Sequence, residues 1–228
     1  NNLLFRLSRL LHDSDIMCTN NEHNNQADKS EPANNAAQYQ RYKPVLAHEI
    51  ARIETQETVK VIDNDLSSQT DATLLPTGTV AKTVYYVGEI EDISFRETNG
   101  YQWVQTSSED GRLSTIITFD NNSIDYEKAQ NIDTPAYIAI TGSINTWERN
   151  GQIGSKIIGH TLNEVTAQER ARFLINASES VLDRVVNFHQ GPPTSIQEKA
   201  KQYYEEIDLN EFAHAAEQAL EIADELVE

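Results

Sequence analysis

The sequence predicts a mainly β chain with C-terminal helices: a five-stranded OB-fold barrel followed by an α-helical extension. Three observations predict it. Residues 74–165 read as about five short apolar-rich strands. Glycine-containing turn signals, Asn99-Gly100, Asp110-Gly111 and Asn150-Gly151, break that stretch at hairpin spacing. A long pattern of helical period then begins at Ala167.

Each element has its own warrant. Residues 84–93 form the first barrel strand, with Gly88 inside it where a small barrel needs a bend. Asn99-Gly100 leads into a second strand at 101–106, and Asp110-Gly111 into a third at 113–119. Residues 123–132 read as a helix-like connector. The fourth strand spans 136–147, bent at Gly142, and Asn150-Gly151 turns it into a fifth at 152–165. Thr166 and Glu169 make a capping box. Behind it Ala171, Leu174, Ile175, Val181, Leu182, Val185 and Phe188 recur every three to four residues, until Gly191-Pro192-Pro193 ends the helix. Ser195 with Glu198, and Asp208 with Glu211, open two further helices.

Ahead of the barrel the pattern weakens. Residues 1–41 read as a disordered N-terminal tail, because 20–40 are rich in Asn, Gln, Ala and Ser and hold almost no large apolar residue. Met17 is the only methionine, so residues 1–16 read as an extension upstream of the start, or else as an amphipathic peptide. Residues 42–76 are a short helix and strand lead-in, with 63–71 a polar loop. The OB-fold domain is placed at 77–166 and the helical region at 167–228.

Composition narrows the function. The chain of 228 residues is lean in hydrophobics at 38%, and 36 acidic residues face 18 basic ones for a net charge of −18. No region is basic, although nucleic-acid affinity normally rests on Lys and Arg at phosphates. Either the chain does not bind nucleic acid, or it works in molar salt, where the Debye length falls to about 3 Å and contact rests on stacking. A mesophile with an acidic interaction surface also fits. Cys18 is the only cysteine, so no intrachain disulfide or zinc-thiolate cluster can form. No apolar run approaches the ~20 residues of a membrane span, and a cytoplasmic location is expected.

Catalytic patterns are missing. The six histidines are scattered, the glycines build turns rather than a phosphate loop, and no serine sits in a nucleophile elbow. No enzyme activity, cofactor, metal or small-molecule substrate is expected. What stands out is an aromatic set, Tyr101, Trp103, Phe119 and Trp147, on the second and third strands and the last hairpin, where OB-folds bind oligonucleotides. Lys82, Arg96, Arg112, Arg149 and Lys156 are the basic residues near that face, and Arg96, Arg149 and Lys156 among them are candidate phosphate contacts. The plainer alternatives are a ring that fills the barrel core, and an arginine paired in solvent with Glu97 or Glu148. Likewise, a helix with one apolar stripe is most often packed on its own domain.

The runs Leu74-Leu75-Pro76-Thr77-Gly78, Val84 to Asp92, and Pro135-Ala136-Tyr137-Ile138-Ala139-Ile140-Thr141-Gly142 resemble the haloarchaeal replication protein A (RPA)-associated OB-fold family. The aromatic pair in Tyr101-Gln102-Trp103 and the segment from Val165 to Val185 are similar to it as well. That resemblance implies an accessory single-stranded-DNA-binding protein of the archaeal RPA system, acting in DNA replication and repair beside the RPA large subunit in a salt-adapted cell. The alternative is a protein-interaction scaffold that docks on RPA through its C-terminal helices without strong DNA binding of its own.

Overall fold

A computed structural model describes residues 42–63, 68–90, 101–107, 114–120, 123–190, 194–204 and 208–227, with residues 61–63, 68–70, 101–103, 107 and 190 described by backbone only. In chain order the elements are β1 (Lys43–Pro44), α1 (Ala47–Ala51), β2 (Thr58–Asp63), β3 (Ser68–Leu75), β4 (Thr79–Ala81), β5 (Val84–Ile90), β6 (Tyr101–Ser107) and β7 (Ser114–Asp120). Then come α2 (Ile124–Gln130), β8 (Ala136–Arg149), β9 (Gln152–Val165), α3 (Ala167–Gln190), α4 (Ser195–Tyr203) and α5 (Leu209–Val227).

The main sheet is ordered β1-β5-β8-β9-β7-β6. Counted from β5, its last five strands follow the order first, fourth, fifth, third, second. All pair antiparallel except β7 with β9. Two of these pairings, β5 with β8 and β7 with β9, join strands that are not consecutive in the chain, which is Greek-key connectivity of OB type. Across its two ends the Tyr86 hydroxyl and Thr106 Oγ1 lie 2.8 Å apart, a buried hydrogen bond from β5 to β6. The interior holds Tyr86, Ile90, Val104, Ile117, Phe119, Ile138, Ile140 and Ile157.

Two expectations change. The main sheet has a sixth strand, because Lys43 and Pro44 pair parallel with Val84 and Tyr85 along the β5 edge. Of residues 63–71, read as a loop, Asp63 instead ends β2 and 68–71 enter β3, which forms a second antiparallel sheet with β2 and β4. Polar residues there hid the strand: Asp71 faces water while its neighbours Ala72 and Leu74 are buried. Leu74 packs with Ala200 and Tyr204 in a separate small core, and the Tyr204 hydroxyl donates to Leu74 O at 2.8 Å. Burial raises the Tyr204 pKa above its ordinary value.

The helices pack where the sheet leaves room. Phe173 of α3 meets Tyr85 and Tyr86 edge-on, with centroids at 5.5 and 6.3 Å. Arg170 donates to Glu89 Oε2 at 2.5 Å and stands 4.6 Å over the Tyr137 ring. Ala171, Leu174, Ala177, Val181 and Val185 are buried within the chain, and α5 lies along α3 with Ala215, Ala216, Ala219 and Ala223 buried. A buried carboxylate clamps three elements. Glu49 of α1 takes both oxygens to Arg184 Nη2 at 2.7 and 2.8 Å and accepts from Thr77 Oγ1 at 2.7 Å. Beside it Lys43 donates to Thr79 Oγ1, and its pKa is lowered by burial and by the Arg184 charge, with Glu49 opposing.

The Thr166–Glu169 capping box forms on both bonds, and those bonds from Thr166 lower the Glu169 pKa. The next helix is capped one residue earlier than expected. Thr194, in extended conformation, exchanges bonds with Gln197 and leaves Ser195 as the first helical residue. Asp208 caps through Asn210 N rather than Glu211 N.

Candidate nucleic-acid interface

Strand alternation fixes two faces, since residues two apart share a side. On β7, Thr115, Ile117 and Phe119 face inward and are buried. The β6–β7 register then sets Val104 and Thr106 inward, opposite Ile117 and Thr115. Tyr101 and Trp103 take the other parity, opposite Asp120 and Thr118, on the outer face.

The outer face continues across two more strands. Thr118 pairs with Ile158 of β9, and Ile158 with Ser143 of β8. Trp103, Thr118, Ile158 and Ser143 therefore form one lateral row over four strands. Moving along β8 and β9, Asn145 pairs with Lys156, Trp147 with Gly154, and Arg149 with Gln152. By the same parity Trp147, Arg149 and Lys156 lie on the face that carries Trp103. A one-residue bulge between Thr141 and Gly142 inserts His160 on β9 and keeps Thr141 and Thr161 outward, their hydroxyls 2.7 Å apart.

The local sequence explains the arm. β8 and β9 run 14 residues each, and Asn150 and Gly151 both have positive φ, 54° and 75°, the conformation a tight two-residue hairpin turn requires. Trp147 lies across Gly154, where a Cβ would overlap the indole, so the glycine seats the ring against its partner strand. Ser155, of inward parity, donates to Ile50 O of α1 and ties the arm to the body. Gln105, Ser114, Asp120, Asn145 and Arg149 are exposed on the outer face, Trp147, Lys156, Ile116, Ile158 and Ser143 half-buried, and Thr118 buried.

Five of the seven expected site residues therefore share one face: Tyr101 and Trp103 by register, Trp147, Arg149 and Lys156 on the arm. Phe119 does not join them. It is 1% exposed and points inward over Gly159, where a Cβ would overlap its ring. Its packing partner is a glycine of β9, so it fills the core rather than joining the outer face. Arg96 lies outside the described residues. Sequence reasoning also left out Asn145, Ile158 and His160, which only the β8–β9 register brings onto the face. The even spacing of 143, 145, 147 and 149 was the available signal.

No helix among the described residues is long and apolar enough to cross a membrane. No group of three or more potential ligating residues that could hold a metal ion occurs among them. No family model and no curated protein matches the chain. Among solved structures it is similar to a chain of the S. pombe Stn1-Ten1 complex, at 10% identity over 71% of this chain and 98% of that one, TM-score 0.47. It is similar to a chain of a replication protein A heterotrimer bound to ssDNA, at 14% identity over 63% and 97%, TM-score 0.40. The mitochondrial single-stranded DNA binding protein Rim1 from S. cerevisiae aligns at 19% identity over 36% and 93%, TM-score 0.30.

Proposed function

We propose that this chain binds single-stranded DNA across the outer face of β6, β7, β9 and β8, as an accessory of an archaeal replication protein A system in DNA replication and repair. The observation that carries the proposal is the register that gathers Tyr101, Trp103, Lys156, Trp147 and Arg149 on one face. Three strand spacings and four residues separate Trp103 from Trp147, roughly 20 Å between backbones. That distance suits a short run of unpaired bases held by rings at its two ends, with Arg149 and Lys156 at phosphates between and beyond them. The net charge of −18 leaves stacking as the main attraction, and a salt-rich cytoplasm is the setting in which this works.

The test is fluorescence anisotropy with a labelled oligo-dT of a few tens of bases in molar potassium chloride. Saturable binding that is weakened by Trp103→Ala with Trp147→Ala supports the proposal. Unchanged affinity in the double variant rejects the stacking surface.

A second reading, a scaffold docked on the RPA large subunit, draws on α3. Its buried stripe is used inside the chain, and Leu182 at the stripe's edge packs against the core, but Val186 one turn on is 48% exposed. Because Leu174 and Val181 belong to the main core, deleting 167–228 would unfold the protein. Val186→Glu, read by co-purification with the large subunit, is the informative substitution.

A further inference from the structure

At the end of β9 away from the arm, the described part of the molecule has a groove. β7 pairs with β9 only at Ile117–Ile157 and Thr118–Ile158. Beyond that point the β9 edge has lost its neighbouring strand, and α2 takes its place. Asp125 Oδ1 accepts from Leu162 N at 3.0 Å, and Lys128 Nζ donates to Leu162 O at 3.1 Å. Two side chains thus satisfy the edge at one residue, but a helix does not fill the space a strand would. A groove of about 490 Å³ remains between α2 and the end of β9. Its apolar lining is Ile124, Ile132 and Leu162.

Ile124 is the unusual member. It is the first residue of α2 and is 69% exposed, while Ile132 and Leu162 below it are buried. An isolated exposed aliphatic is ordinary, but one set on the lip of a groove with an apolar floor is a ready anchor. The charges say what it would take. Lys128 is matched by Asp125 at 3.0 Å. That leaves Glu127 and Glu164 on the rim, with exposed Asp133 next to Ile132, on a chain of net charge −18. The lining offers no ring to stack a base and, at low salt, its acidic rim repels phosphates, so the groove does not extend the proposed nucleic-acid face. A second copy of this chain would bring the same negative charge.

We propose that the groove docks a short segment of a partner protein in which a leucine-type side chain is flanked by arginine or lysine. The apolar anchor covers Ile124 and Ile132, and its cationic neighbours meet Glu127 and Glu164. This proposal stands apart from the DNA-binding one.

The probe is a fluorescein-labelled peptide of about twelve residues carrying two adjacent leucines between arginines, titrated with the full chain at about 0.1 M salt, where surface charge is felt. Controls replace its arginines with glutamate or its leucines with serine. Saturable binding is expected for the first peptide and for neither control. Ile124→Ser, a surface change that leaves the core intact, should weaken it roughly tenfold by exposing the anchor again. Glu127→Lys with Glu164→Lys should abolish the preference for arginine. Oligo-dT should not compete. The proposal is overturned if the arginine–leucine peptide fails to bind, if it binds wild type and Ile124→Ser equally, if the glutamate peptide binds as well, or if oligo-dT displaces it.

Discussion

The outer face of the main sheet has two halves built from the same strands but treated differently. Over β5 and the start of β8, outward residues are matched by α3: Tyr85 by Phe173, and Glu89 and Tyr137 by Arg170. Over β6, β7, β9 and the end of β8, outward residues such as Gln105, Asn145 and Arg149 are exposed. The aromatic residues of the two halves differ accordingly. Tyr85 and Tyr137 are packing groups with partners in α3, whereas Trp147 leans on a glycine of its own hairpin and stays half-exposed. An aromatic on the outer face of such a sheet is thus a site candidate only where no helix returns to cover it.

The largest expected effect tests whether the halves are independent. Phe173→Ala removes a fully buried ring from the covered half and should cost about 3–5 kcal/mol in urea unfolding. The oligo-dT affinity of the molecules that remain folded should not move. A drop in that affinity would show that α3 shapes the open half as well.

On the open half, Trp103→Ala and Trp147→Ala should each cost about 1–3 kcal/mol in oligo-dT binding, with little change in unfolding free energy. Salt dependence sharpens this. If the proposed phosphate contacts are the three residues Arg96, Arg149 and Lys156, the slope of log K against log salt should be no steeper than roughly −2. A slope several times steeper would mean that phosphates, not rings, hold the ligand.

Much of this was legible in the sequence for local reasons. Asn150-Gly151 specifies a tight turn, so the long last hairpin was readable. The three-to-four spacing from Ala171 to Val185 specified α3 and its buried stripe. The missed features depend on distant partners. Phe119 has the same period-two context as an outward ring, and only its seat over Gly159, forty residues on, sets it inward. β3 was hidden because one of its faces is polar and its buried face meets α4, more than a hundred residues away. Thr194 displaced Ser195 as cap because the choice depends on backbone angles, not on residue type.

Phe119 accordingly gives a smaller prediction that contrasts with the tryptophans. Phe119→Leu should destabilise by about 1 kcal/mol, through lost contact over Gly159, and leave oligo-dT affinity unchanged. Loss of affinity beyond loss of fold would return Phe119 to the ligand face.

The smallest effect concerns the outward side of α3, which decides whether the covered half is itself covered. Burial, and then the Asp183 charge, raise the pKa of Glu179 above its ordinary value. A carboxyl raised in the folded state binds more protons there than in the unfolded chain, so its cost is full at neutral pH. That cost fades as pH falls through the raised folded pKa toward the ordinary one. Glu179→Gln should therefore stabilise at pH 7 by less than about 1 kcal/mol, since Glu179 is only half-buried and solvent screens it. The gain should be gone by about pH 3, well below the ordinary carboxyl pKa, where the wild-type group is protonated in both states. Adding a partner that covers Val186 would desolvate Glu179 further and enlarge the gain. A gain that is unchanged on adding the RPA large subunit would place any docking away from this flank of α3.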